Sequence, residues 1–293
     1  MNYIIFDLEW NSAYFHKEKR FLNEIIQIGA VKLNSNFSII DKFEVTIRSS
    51  ITKKLSNRFI NLTSISNEQM LNGVSLSTAF DMYNKWCGKD ILTMSWSNSD
   101  LYAIIENSNA LLKGKKTLYL EKYLDLQTFV QNELKISGFD FTNQISLNSA
   151  AEMLNISVDG FYLHTALDDS EVCSLLLKST YNKERFEKLI KDATKTEFYA
   201  RLTFKPYYLS NPNDSKIDKA YFRFLCPKCN EPIKKYKKFK YYNNWFRSDL
   251  HCLNCDIKYK AMISFKQTFD KLIVKKRLLP LKKEEVNTNV HMQ

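Results

Sequence analysis

At 293 residues, 44% hydrophobic and 26% charged, the chain has enough apolar material for a sizeable core, which excludes general disorder. No apolar run reaches the roughly 20 residues of a membrane-spanning helix, and the opening MNYIIFDLEW carries acids too early for a secretory leader; a cytoplasmic protein is expected. The net charge of +11 is lopsided: residues 1–200 carry 22 Lys and Arg against 24 Asp and Glu, and residues 201–293 carry 21 against 8. A near-neutral body with a cationic appendage suits a polyanionic partner.

In chain order, the apolar run 3–6 ends at Asp7 and predicts a buried strand. Residues 24–33 and 39–47 predict two more strands, joined by a turn at 34–38 into an antiparallel meander. Ala79, Phe80, Tyr83 and Trp86 share one face of a helix over 77–86. A strand at 91–96 follows, then a helix from near Asp100 to Leu112, a short strand at 123–126, and helices at 147–154 and 165–181. A helical pattern through 182–202 closes this part. Strands alternating with helices after a meander predict an α/β fold with a mixed sheet. The Pro-, Asn- and Ser-rich stretch 206–215 reads as a linker. The expected organisation is a domain over 1–203, a linker over 204–217, a small basic domain over 218–281 and a frayed polar tail over 282–293.

Two positions apart on a strand, Asp7 and Glu9 point their carboxylates to one face. Asp100 opens a helix after a strand, where an N-cap is the ordinary role. His164 and Asp169 lie about one and a half turns apart where a helix begins. Four carboxylates and an imidazole suit a pair of hard cations, about 3.5–4 Å apart, that serve phosphodiester hydrolysis. In IIFDLEWN, NEIIQIGAVKL, SWSNSDLYAI and LHTALDDS, residues 1–180 resemble the DnaQ-like, DEDDh family of 3′–5′ exonucleases. The resemblance implies an RNase H-like fold and two Mg²⁺ or Mn²⁺ ions held by Asp7, Glu9, Asp100 and Asp169. It also implies His164 as general base, since an imidazole titrates near neutrality. The family spacing selects Asp169, and Asp168 is left as a helix cap or a solvated acid. Asp125-Leu126-Gln127 and Trp10-Asn11 look most like the branch that trims RNA 3′ ends. The Leu8 backbone is expected against the terminal nucleotide. Trp10 is either a base-stacking ring or a core aromatic.

Cys226-Pro-Lys-Cys229 and Cys252-Leu-Asn-Cys255 are two C-x₂-C knuckles with 22 residues between them. That is the spacing of a closed, structural tetrahedral Zn²⁺ site, and it resembles a zinc ribbon. Cys87 and Cys173 stand alone in apolar helical contexts and read as core residues. Between the knuckles, 233–247 alternates lysines with aromatics, Tyr236 among them, and predicts one strand with a cationic face. Lys235, Lys237, Lys238, Lys240, Tyr242 and Trp245 are the expected contacts to a single-stranded nucleic acid. A protein partner docked on the ribbon is the competing reading. The activity implied is a metal-dependent 3′–5′ exonuclease on single-stranded RNA or DNA that releases nucleoside 5′-monophosphates. A proofreading partner of a polymerase and a non-catalytic nucleic-acid scaffold are the alternatives.

Overall fold

The computed structural model describes residues 2–235 and 237–281, so Tyr236 and the tail expected over 282–293 lie outside the described residues. The chain divides into two compact units, Met1–Leu202 and Thr203–Gln293.

The first unit is built on a six-stranded mixed sheet in the order β3-β2-β1-β4-β5-β6. β1 (Asn2–Phe15), β2 (Arg20–Leu33) and β3 (Ile39–Thr46) form the antiparallel meander. β4 (Ile91–Ser95) and β5 (Lys122–Asp125) run parallel to β1, and the two-residue β6 (Lys191–Asp192) closes the edge antiparallel to β5. Side chains alternate across β1, so Ile4, Phe6 and Leu8 join one core layer while Ile5 joins the other. α3 (Leu76–Cys87) and α4 (Ser99–Leu112) cover the first layer with Phe80, Tyr83, Leu101 and Ile104. α5 (Leu126–Ile136), α6 (Leu147–Met153) and α7 (Ala166–Thr180) cover the second with Phe129, Val130, Ala150, Val172 and Leu176. Each such Val, Leu, Ile or Phe side chain stabilises the fold by about 1.5–3 kcal/mol on burial. Cys87 and Cys173 are buried in these layers. Short helices α1 (Asn57–Thr63) and α2 (Asn67–Leu71) pack Phe59 and Met70 on Ile26, and α8 (Lys183–Glu187) and α9 (Thr196–Thr203) complete the unit.

Three local features differ from the sequence expectation. β1 and β2 run well past the sheet as a paired arm, with Tyr14 opposite Phe21. α5 follows β5 with no loop: Asp125 ends the strand and its side chain caps Thr128 N–H, so one residue serves as both stop and start. The region expected as a continuous helix over 182–202 is cut by β6, whose Lys191 and Asp192 pair with β5.

In the second unit a six-stranded antiparallel sheet holds β7 (Tyr207–Tyr208), β8 (Lys234–Lys235), β9 (Lys240–Tyr242), β10 (Trp245–Cys252), β11 (Ile257–Gln267) and β12 (Leu272–Pro280). The stretch expected as a linker belongs here. Tyr207 and Tyr208 pair with β11, and Leu209 is buried beside Phe246 and Phe265. Its Pro and Asn content marks turns, but Leu209 is core and Tyr207 and Tyr208 form an exposed edge strand. The single strand expected over 233–247 is also corrected. It is split into β8, a loop and β9, and Asn243 and Asn244, at φ 46° and 63°, turn the chain back into β10.

Candidate active site and cysteine centre

Asp7 and Glu9 leave β1 on the face that α7 crosses. In the β1–β2 register Asp7 stands directly opposite Gly29, which carries no side chain under the first turn of α7. Two side chains fix that turn. Gln27, 6% exposed, accepts from Ala166 N–H at 3.2 Å, and Ser170 Oγ donates to the Gly29 carbonyl at 3.2 Å. Asp169, one turn into the helix, is thereby brought over β1. Carboxylate oxygens of Asp7, Glu9 and Asp169 all lie within 4.8 Å of one another.

Asp100 is not the N-cap of α4, a place taken by Asn98; it is the second residue of the helix and is buried. The nearby Leu8 backbone and Ser95 side chain favour its charged form, against its burial. The Leu8 side chain sits in the core. Asp100 falls outside the tight three-acid group, yet it is the strongest charged influence on Asp7.

The electrostatics follow from this crowding. Burial, then the charges of Asp100, Asp169 and Glu9, push the Asp7 carboxyl well above the usual range. Burial, then Asp169 and Asp100, raise Glu9 to about 8. Burial raises Asp100 to about 7, partly offset by its hydrogen bonds. Burial also raises Asp169, against the hydrogen bond it accepts from His164 N–H at 3.4 Å. Packed carboxylates that repel one another are a donor set short of positive charge. Hard oxygen ligands in that condition fit divalent cations.

His164 precedes Thr165, the N-cap of α7, in a left-handed backbone conformation with φ 75°, and its side chain is exposed. Asp168 is engaged elsewhere: its carboxylate accepts from Tyr162 N–H at 2.8 Å. Trp10 is half-buried and packs against the first core layer. Asn11 is buried and accepts from both the backbone and the hydroxyl of Ser56, the N-cap of α1, so α1 is anchored beside the acids. Sequence reading missed Asn11, Gln27 and Gly29 as supports. The one signal was a glycine inside an apolar strand, which marks a close approach of another backbone.

In the second unit the sulfurs of Cys226, Cys229, Cys252 and Cys255 lie within 4.8 Å of one another. Cys226 and Cys255 are 4.0 Å apart, and Cys229 and Cys252 are 3.5 Å apart. A tetrahedral zinc with Zn–S bonds near 2.3 Å sets its sulfurs about 3.8 Å apart, so the four thiols fit that ion. The Tyr259 hydroxyl, bonded to Cys226, is the largest influence lowering that thiol to about 6, which favours the thiolate a metal needs. Of the expected nucleic-acid contacts, Lys235 lies on β8, Lys240 and Tyr242 on β9 and Trp245 on β10. Lys238 is exposed in the loop between β8 and β9, and Lys237, in the same loop, is bonded to Asp249 at 3.0 Å. Phe239 and Phe246 turn inward to the core, and Tyr242 is 62% exposed.

Residues 4–177 match the model of the RNase_T exonuclease family. A PolC-type DNA polymerase III of Staphylococcus aureus (strain bovine RF122 / ET3-1) is 27% identical over 139 residues, which are 47% of this chain and only 9% of that protein. Among solved structures, cell-death related nuclease 4 (CRN-4) superposes with a TM-score of 0.52 at 17% identity, over 60% of this chain and 62% of its own. The nuclease domain of 3'hExo, a DEDDh family member bound to rAMP, superposes with a TM-score of 0.51 at 21% identity, over 60% and 90%. These likenesses give the first unit the RNase H-like α/β fold. Among the described residues no helix is long and apolar enough to cross a membrane.

Proposed function

Because the chain belongs to the exonuclease family that its residues 4–177 match, we propose that it is a divalent-cation-dependent 3′–5′ exonuclease acting on single-stranded RNA or DNA. The observation that carries this reading is the convergence of Asp7, Glu9 and Asp169 within 4.8 Å, with buried Asp100 beside them. These four would hold two Mg²⁺ or Mn²⁺ ions. When bound, such ions neutralise the phosphate charge and ease deprotonation of water.

The chain's own residues do the rest. The acids would hold the cations where the 3′-terminal phosphodiester binds. His164 takes a proton from the attacking water as its oxygen bonds to phosphorus. The P–O3′ bond breaks, and the departing 3′ oxygen gains a proton to become the new 3′ hydroxyl. A nucleoside 5′-monophosphate is released. Gln27, Gly29 and Ser170 act through Asp169 by holding α7 in register, and so are positioning residues. The cysteine cluster would hold one structural Zn²⁺ with no position left for chemistry.

The likeness to the PolC-type polymerase favours a second reading, in which the same hydrolysis edits mispaired 3′ ends for a polymerase. One experiment tests both: parent chain with Mg²⁺ or Mn²⁺ on 5′-labelled RNA and DNA, single-stranded or as primers with matched and mismatched 3′ ends. A ladder shortening from the 3′ end, with nucleoside 5′-monophosphate released, is expected. Preference for mismatched primers over free single strands would select the editing role. Intact substrates with both metals would sink the exonuclease proposal.

A further inference from the structure

Strand alternation in the second unit sends Phe246, Leu250, Ala261 and Ile263 into the core and their neighbours outward. The outward set is strongly cationic. Register places Arg247 of β10 opposite Met262 of β11, and Met262 opposite Arg277 of β12, so the two guanidinium groups lie in one row across three strands. One row along, Asp249 pairs with Lys260; on the other side, Ser264 pairs with Lys275. Asp249 is the one carboxylate on this face of the three strands among the described residues, and it is already engaged by Lys237.

Aromatic planes alternate with these cations. The Arg247 guanidinium lies 5.2 Å from the ring centre of Tyr242, and that of Arg277 lies 5.0 Å from Trp245. Tyr242 and Trp245 are cross-strand partners in the β9–β10 hairpin, so both stacked pairs share one end of the face. The buried Nε of Arg247 has no hydrogen-bond partner. Flat rings and guanidinium planes interleaved with point charges match a ligand of unpaired bases on a phosphodiester backbone. An acidic polypeptide would satisfy the cations and leave the rings without a partner.

We propose that the outward face of β10–β11–β12, centred on Trp245, Arg247 and Arg277, is a second, non-catalytic platform for single-stranded nucleic acid. It rests on the exonuclease reading for its choice of nucleic acid as partner. It differs from the contact set read from sequence. Lys237 is engaged by Asp249, Lys240 stays on this face opposite Arg247, and Arg247, Lys260, Lys275 and Arg277 join it.

The test uses the full chain carrying Asp7→Asn, without added divalent metal, so that oligomers survive and the acid cluster contributes no cation-bridged affinity. Binding of labelled 20-nucleotide RNA and DNA is read by anisotropy across a salt series, and Trp245 by fluorescence quenching. Arg247→Glu/Arg277→Glu is expected to weaken binding at least 10-fold. It should also flatten the salt dependence by about 1.4 in log–log slope, two phosphate contacts at about 0.7 each for a single strand. Trp245→Phe is expected to abolish most of the quenching. Zinc content near one per chain certifies the fold of each variant; if the arginine pair fails that check, Lys260→Glu/Lys275→Glu is judged by the same slope. Parental affinity and slope in a zinc-replete variant overturn the proposal, as does tighter binding of polyglutamate than of an oligomer of equal charge. RNA and DNA binding equally marks backbone and base stacking as the recognised chemistry, and a preference for one names the source. Hydrolysis of a trinucleotide by the parent chain, measured separately with Mg²⁺, tests the exonuclease reading alone.

Discussion

Gly29→Ala should disable the site without touching any ligand. A Cβ built on Gly29 would stand 2.2 Å from both the Ala166 carbonyl carbon and the Leu167 nitrogen, and 2.6 Å from the Ala166 oxygen. Ordinary contact begins near 3.4 Å, so β2 and the first turn of α7 must separate by about 1.2 Å. The obstacles are backbone atoms, so no side-chain rotation relieves them. Overpacking of this kind costs about 1–3 kcal/mol, and at this size each kcal/mol lowers the melting temperature by about 2–4 °C. The functional loss should be larger in proportion. Gly29 faces Asp7 across the β1–β2 ladder and Asp169 rides on the displaced turn, so the methyl group moves Asp169 away from Asp7. Displacements near 1 Å in positioned groups cost about 100-fold in rate. The assay pairs differential scanning fluorimetry with mononucleotide release under kcat/KM conditions. A variant that melts with the parent and cleaves at the parental rate would refute the claim that backbone contact at Gly29 positions Asp169.

The remaining predictions follow from the same geometry. Without divalent metal, the first unit should lose stability as pH rises. Glu9 and Asp100, held up at about 8 and about 7 chiefly by burial, favour the folded state in their protonated forms. That contribution is full below about pH 4 and is lost as pH climbs through those values. The metal-free melting temperature should therefore fall by several degrees between pH 6 and pH 8.5, and Mg²⁺ should restore it. Asp7→Asn should abolish turnover yet melt higher than the parent at pH 8.5 without metal; a lower melting point would argue against the repulsion. His164→Ala should cut kcat by about 10²–10⁴ with divalent-cation affinity unchanged by calorimetry, and a parental kcat would remove His164 from proton transfer. Cys226→Ser should drop zinc from about one per chain toward zero by elemental analysis and erase the second unit's thermal transition; a zinc-replete variant would defeat the four-cysteine assignment.

What the sequence reveals depends on how local the determining physics is. Asp7 and Glu9 are legible because a strand's period of two puts them on one face whatever the rest of the fold does. The cysteine knuckles are legible because each pair is two residues apart and brings its own turn. Asp100 is harder. As an acid near a helix start it reads as a cap, and only the packing of α4 against the sheet buries it. Segment 233–247 fails for the same reason in reverse. Its alternation suits one strand, but the Asn243-Asn244 turn and two separate pairings with β10 are decided by partners the sequence does not name.

That distinction also orders the ligands from the supports. Ligands must be acids or thiols, so their chemistry is written in residue type. Supports need only fill or vacate a volume at the correct place. Gln27 could be any buried polar group that meets Ala166 N–H, and Gly29 matters for atoms it does not have. Neither side chain therefore points to catalysis on its own. Yet Asp169 reaches Asp7 only because a bare strand position and two hydrogen bonds let a helix settle directly on the sheet. If the first-turn contact with β2 fixes this site, then Gln27→Ala, which removes the acceptor and leaves the volume, should loosen it less than Gly29→Ala. The lost bond is worth about 1 kcal/mol, and backbone overlap leaves no relaxed arrangement at all. The two variants, ranked by residual kcat/KM, separate positioning by contact from positioning by hydrogen bond. The opposite ranking would make the Gln27 bond, not helix-on-strand contact, the element that holds Asp169.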